Sequence, residues 1–257
     1  PLIEFQQVTK RFDGRTVLDC IDLQVFEGEV TTLIGKSGVG KIVLLKHIIG
    51  LLQPDEGRVL LKGQLMDRIK SHEKDSLLRQ MSYMFQNNAL FDSMTVYNNI
   101  AMPLRYDSRF DKSEIDDRVM ERLRQTELEK DKDKFPDELS GGMQKRVALA
   151  RALITDPKIV LFDEPTTGQD PIRKNAILSM IAEYQREYKF SAVLVSHDLP
   201  DVFFISNRII ALYEGRIIFQ GLPEEFNDLD HPFRKEFVRS LEALEEELHG
   251  LYSKRHF

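Results

Sequence analysis

The stretch "EVTTLIGKSGVGKIVLLKHIIG", Glu29 to Gly50, restricts the fold more than any other part of the chain. A β-branched run ends in glycine, and a loop with three glycines follows. Beyond it, "IVLLKHIIGLL" is apolar over a helical length until "QPDEG" breaks it. β-Branched residues suit a pleated surface, and glycines turn where other residues resist. A strand, a glycine loop and a helix in that order predict a βα unit of an α/β sheet, with an anion site at the helix start.

The loop itself, "GKSGVGKI" from Gly35 to Ile42, carries what the pattern G-x-x-x-x-G-K-[ST] allows at seven of its eight positions. Gly35, Gly38 and Gly40 let backbone N–H groups turn inward around phosphates, with Lys36, Ser37 and Val39 completing the loop. Lys41 places a point charge on the β- and γ-phosphates. A plain strand-to-helix turn does not account for Lys41 at that spacing. The eighth position is Ile42, where the chemistry asks for a hydroxyl.

A length of 257 residues suits one large α/β domain, or one with an inserted lobe, and 42% hydrophobic residues can bury its core. The first third reads as β-rich: "LIEFQQVTKRF" alternates apolar and polar residues, "VLDCIDLQVFEGEV" follows, and "GRVLLKGQLM" is a hairpin candidate. Residues from about Gln86 to Leu153 form a highly charged lobe with apolar residues at helical spacing, and its charges read as a solvated face. Three buried-strand candidates come next: "KIVLFD", "SAVLVS" and "RIIALYEGRIIFQG", the last a hairpin turning at Glu214-Gly215.

"IVLFDEP" carries Asp163 to the C-terminal edge of a strand, where ligands of α/β sheets gather. An Asp there holds Mg²⁺ directly or through water, and Glu164 beside it can polarise a water for attack on a γ-phosphate. A merely solvated strand edge is the competing reading; the glycine loop tips the balance to the catalytic one. In "ELSGGMQKRVALARAL", Ser140 is a good helix N-cap, and Gly141 and Gly142 expose N–H groups at a helix start. One chain does not need two phosphate sites so far apart. Two chains, each lending one site to the other's nucleotide, do.

"LSGGM" resembles the signature motif, usually LSGGQ, of ATP-binding-cassette (ABC) ATPases, and the resemblance covers roughly residues 2 to 222. It implies an α/β cassette with a RecA-like core, an antiparallel β-subdomain and an inserted helical subdomain at about 88–155, all within residues 1–222. A C-terminal helical extension at 223–257 follows. It also implies that Phe12 stacks on adenine, that Gln86 in "MFQNNALF" senses Mg²⁺ and the γ-phosphate, that Asp170 in "TTGQDP" is the D-loop aspartate, and that His197 in "LVSHD" contacts the γ-phosphate. An ordinary core Phe and a structural His are the competing readings. The implied unit is a homodimer sandwiching two ATP, each with Mg²⁺, between the glycine loop of one chain and the signature of the other. Hydrolysis would proceed by in-line water attack, with Lys41, Ser140 and Mg²⁺ stabilising charge.

"FQNNALFDSMTVYNNIAMPLR", "LSGGM" and "TTGQDPI" together resemble the ATPase subunits of Mla-type phospholipid transporters, the MlaF-like group. That resemblance implies an MlaE-like transmembrane permease, MCE-domain and small accessory subunits, and a peripheral place on the cytoplasmic face of the inner membrane. Membrane contact would then come only through the permease, with Leu90, Phe91 and Met94 offering an exposed apolar groove. Packing within the helical lobe is the other reading of those three. An ABC ATPase for another cargo, such as amino acids or a metal, remains open. So does a non-transport ABC protein, although those usually pair two cassettes or insert a coiled coil.

Bulk properties agree. Charged residues reach 30%, and no apolar run approaches the ~20 residues that span a bilayer. The opening "PLIEFQQVTK" has no apolar core, so no signal peptide is expected. A net charge of -6 does not favour nucleic acid, and Cys20 as the one cysteine fits a reducing cytoplasm. Near the C-terminus, Phe237, Leu241, Leu244, Leu248 and Leu251 form a short heptad seam.

Overall fold

The computed structural model describes residues 1–69, 71–107, 109–197 and 200–235. The heptad seam from Phe237 onward lies outside the described residues.

Two sheets organise the chain. Strands β1 (Ile3–Phe12), β2 (Arg15–Val25), β4 (Glu56–Leu61) and β5 (Gln64–Leu65) form an antiparallel sheet in the order β2-β1-β4-β5. The alternation of β1 buries Ile3 and Phe5, and a bulge at Gln7, with φ 53°, brings Val8 into the same core. The second sheet holds β3 (Val30–Ile34), β6 (Met81–Met84), β7 (Ile159–Asp163), β8 (Ser191–Val195), β9 (Arg208–Tyr213) and β10 (Arg216–Gly221). Its order is β10-β9-β3-β8-β7-β6, and every pairing except that of β10 is parallel. All residues of β3, β7 and β8 are buried, as expected for parallel strands covered on both faces. β10 is the antiparallel edge strand and stays half-exposed, so that part of the apolar run is less buried than expected. The β9–β10 turn has φ of 48° at Glu214 and 78° at Gly215, the positive pair that a two-residue hairpin turn needs.

α1 (Lys41–Ile48) follows β3, and α2 (Ser71–Leu78) precedes β6. α1 stops short of its apolar run. Gly50 takes φ 67°, the amides of Leu51 and Leu52 both turn back to the Lys46 carbonyl, and Leu51 is left 70% exposed. Next come α3 (Val96–Arg105), α4 (Lys112–Gln125) and α5 (Gly141–Leu153), then α6 (Pro171–Tyr188) between β7 and β8. Thr95 caps α3, and Asp111 with Glu114 builds a capping box on α4. Helices α3, α4 and α5 share an apolar core through Ile100, Leu104, Val119, Leu123, Val147 and Ala150. The opposite face of α5, with Ala148, Leu149, Ala152 and Leu153, packs into the core of the parallel sheet.

Leu90 corrects an expectation. It is partly buried and packs against both of those cores, while Phe91 is 44% exposed and Met94 half-buried. Beyond Leu222, Phe226 and Phe233 bury themselves against Ile34, Ile209 and Ala211. Because β3, β6, β7 and β8 run in one direction, the loops after Ile34, Met84, Asp163 and Val195 gather along one sheet edge.

Candidate active site

The glycine loop is held between the two sheets. A Cβ on Gly35 would lie 2.5 Å from the Leu212 carbonyl oxygen of β9, and one on Gly40 would lie 2.9 Å from Leu18 Cδ2 of β2. Gly35 leaves no room for a side chain, and at Gly40 the Leu18 side chain and the Val17 carbonyl would have to give way. Gly40 also takes φ 115°, and no side chain caps α1 after it. The loop and helix start are therefore a cradle built of backbone, as anion binding requires.

Beside this loop lies a cavity of about 200 Å³, lined among others by Ser37, Gly38, Gly40, Lys41, Ile42, Gln86 and Glu164. Lys41 is 5% exposed; its Nζ donates to the carbonyls of Gly35 at 2.6 Å and Lys36 at 3.0 Å. The Val39 amide also donates to the Lys36 carbonyl. Burial pushes the Lys41 ammonium below the usual lysine range, and the charges of Glu164 and Asp163 oppose that shift. Ile42, also in the lining, is 41% exposed, and its side chain is all carbon.

Asp163 ends β7 and is 6% exposed. Tyr83 on β6 donates its hydroxyl to Asp163 Oδ2 at 3.0 Å, and Oδ1 is buried with no hydrogen-bond partner. Burial raises the Asp163 carboxyl above its ordinary range; the Tyr83 hydrogen bond and Lys41 act against this, and Glu164 adds to it. Burial likewise raises the Tyr83 phenol, helped by Asp163. A bare, buried carboxylate oxygen beside a phosphate cradle fits a hard divalent cation such as Mg²⁺. Among the described residues no group of three or more His, Cys, Asp or Glu could hold a metal by itself. One carboxylate plus substrate phosphates is the usual Mg²⁺ arrangement.

Glu164 is the meeting point. Its φ is 46°, strained for a non-glycine residue, and its amide donates to the Val195 carbonyl at 3.0 Å. Glu164 Oε2 accepts from Gln86 Nε2 and from Thr167 Oγ1, both at 3.0 Å, and Oε1 lies 3.5 Å from His197 Nδ1. Three loops thus converge on one carboxylate at the cavity wall.

The other expected site residues lie apart from this cavity. Phe12 is 41% exposed, with Lys10 Nζ 5.5 Å from its ring, so it is not a core Phe. Ser140 caps α5, its Oγ accepting from the Met143 amide at 3.4 Å. Asp170 caps α6, its Oδ1 accepting from the Arg173 amide at 3.0 Å, and a Cβ on Gly142 would touch the Arg173 side chain at 3.3 Å. Ser140, Gly141 and Gly142 therefore make an exposed helix start outside the first cradle.

Three contributors escape sequence reasoning. Tyr83 sits on a four-residue strand without a clear period, and Thr167 is one of a threonine pair in a turn. Lys145 is only 3% exposed, and its Nζ donates to the Gln86 carbonyl at 2.5 Å. Its neighbour Arg146 makes it look like one of two solvated helix cations.

The profile of the ABC transporter family matches residues 18–167. The intermembrane phospholipid transport system ATP-binding protein MlaF of Haemophilus influenzae is 36% identical over 224 residues, spanning 87% of this chain and 85% of that protein. The probable ribonucleotide transport ATP-binding protein mkl of Mycobacterium leprae is also 36% identical, over 236 residues, spanning 92% of this chain and 68% of its own length. Among solved structures, the ATP-binding cassette MJ0796, a dimer in a post-hydrolysis state bound to ADP and Pi, superposes with a TM-score of 0.76. It shares 30% identity over 86% of this chain and 98% of that one.

Proposed function

This chain belongs to the ABC transporter family as an ATP-hydrolysing, nucleotide-binding subunit, and from that premise we propose that it powers phospholipid movement as a homodimer beneath a permease. Subunits of this family work as dimers with transmembrane permeases. Among the described residues no helix is long and apolar enough to cross a membrane, which fits a subunit whose membrane contact is through such a partner. In this reading the permease is MlaE-like, MCE-domain and small accessory subunits complete the assembly, and the site of action is the cytoplasmic face of an inner membrane.

The observation that carries the hydrolytic role is the Glu164 carboxylate, oriented by Gln86 and Thr167 and faced by His197 beside the glycine cradle. Glu164 positions the attacking water and takes its proton. The cradle amides and Lys41 hold the β- and γ-phosphates, Phe12 stacks on adenine, and His197 approaches the γ-phosphate. Ser140, Gly141 and Gly142 meet the nucleotide of the partner subunit, with Asp170 at the same junction. Asp163 and Gln86 would hold Mg²⁺, which when bound neutralises developing phosphate charge.

The cargo rests on the variants "LSGGM", "TTGQDPI" and "NNIAMPLR" together with the similarity to the phospholipid system protein. The equal identity to the ribonucleotide-named mycobacterial protein carries the rival cargo. Copurification with the permease decides between them. Phospholipid identified by mass spectrometry, and ATPase stimulation in nanodiscs, are expected; ribonucleotide-stimulated turnover without bound lipid would replace this cargo.

Ile42 supplies no oxygen where the loop pattern gives Mg²⁺ a side-chain ligand. A bound Mg²⁺ missing one ligand would leave the β- and γ-phosphates misplaced, and about 1 Å of misplacement costs ~100-fold in rate. Ile42→Ser is expected to raise Mg²⁺-dependent turnover at least about tenfold, with a smaller change in nucleotide affinity. Steady-state ATPase of both forms, with and without Mg²⁺, checks this. Equal rates would mean that Gln86, Asp163 and water complete the metal shell alone.

A further inference from the structure

Gln86 lies in a turn closed by the Asn88 amide donating to the Phe85 carbonyl at 3.0 Å and the Ala89 amide donating to the Asn87 carbonyl at 2.6 Å. Asn88 and Ala89 take φ of 61° and 47°, a left-handed region that Ala in particular avoids. The carbonyls of Gln86, Asn88 and Ala89 are in addition gripped from outside by one helix. Lys145 Nζ donates to the Gln86 carbonyl at 2.5 Å, and Arg151 donates to those of Asn88 at 2.5 Å and Ala89 at 2.7 Å. Both donors are cations on α5, so these are charge-assisted bonds, stronger than neutral ones. α5 is a firm base for them, since its two faces are packed into two separate cores.

We propose that Lys145 and Arg151 are positioning residues for hydrolysis: from the signature helix they hold residues 86–89 in a strained turn, and so keep Gln86 set against Glu164. This rests on the role given above to Gln86 and Glu164. The buried Lys145 ammonium is also close enough to Asp163 and Glu164 for both charges to act on it, as they do on Lys41. Two lysines, one from the glycine loop and one from the signature helix, thus act on the same acidic pair. The helix that begins at Ser140, where the partner's nucleotide would dock, is the one that holds this chain's own Gln86.

The test uses the full chain with Ile42→Ser, alone and with Lys145→Met, Lys145→Arg, Arg151→Gln or Arg151→Lys. Amide hydrogen exchange, ATPase kinetics and thermal unfolding are measured on each. In Lys145→Met and Arg151→Gln, exchange over residues 85–91 is expected to rise while that over 141–153 stays at the parent level. kcat is expected to fall about tenfold, with KM for ATP within about twofold. Lys145→Arg and Arg151→Lys are expected to recover most of kcat. Parent-level exchange over 85–91 in both neutral variants would overturn the proposal. So would loosening that spreads through α5, with kcat and melting temperature falling together and no rescue by the conservative changes. Exchange needs no turnover: if the Ile42→Ser chain hydrolyses no ATP, the hydrolytic reading fails while the exchange result still decides the clamp.

Discussion

Glu164→Gln, made together with Ile42→Ser, is expected to slow ATP turnover by about 100-fold or more, the range associated with losing a general base. ATP affinity should hardly change, because the proposed role of Glu164 is toward the attacking water, whereas the phosphate cradle is backbone. The amide oxygen of glutamine can still accept from Gln86 and Thr167, so the contact between the loops after β6 and β7 is kept. What disappears is the negative charge that polarises water. With hydrolysis blocked and binding intact, the ATP-bound dimer should accumulate, visible by size-exclusion chromatography with light scattering. Turnover equal to that of Ile42→Ser alone would remove Glu164 from the reaction.

Ser140→Arg should have an effect of similar size for a different reason. Ser140 is exposed at the start of α5, away from its own chain's cavity. A bulky cation there blocks approach of a second chain and replaces a helix-capping oxygen. Turnover is expected to drop by at least about 100-fold, as when a transition-state donor is lost, while the monomer still binds ATP. Loss of the cap costs about 1 kcal/mol on its own. Ser140→Asn keeps a capping oxygen, so its melting temperature separates the folding effect from the docking effect. A proven monomer carrying Ser140→Arg that turns over normally would end the head-to-tail dimer model.

The parts readable in the sequence were those set by local chemistry. β3, β7 and β8 announced themselves because strands buried on both faces are apolar throughout. The turn at Glu214-Gly215 was readable because few residues suit its backbone. What stayed hidden depended on distant partners. Tyr83 reaches Asp163 across a sheet pairing, and nothing around "MSYM" points to it. Lys145 shares its helix turn with solvated charges, and only the packing of α5 reveals that it is buried. Leu90 looked like a docking residue because an apolar side chain after a loop does not declare which core receives it. The end of α1 was missed because Gly50 and the Lys46 carbonyl end the helix inside a continuous apolar run.

The place of β3 in its sheet also bears on how the chain is made. β3 ends at Ile34, but its neighbours are β8, beginning at Ser191, and β9, beginning at Arg208. The loop after β3 is closed from behind by Leu212. A ribosome therefore releases this segment long before anything exists for it to pair with. Such high contact order slows folding and leaves an apolar strand waiting. The glycine loop is early in the sequence and its partners are late, so a nascent chain is expected to gain its nucleotide-binding shape only once β9 has emerged.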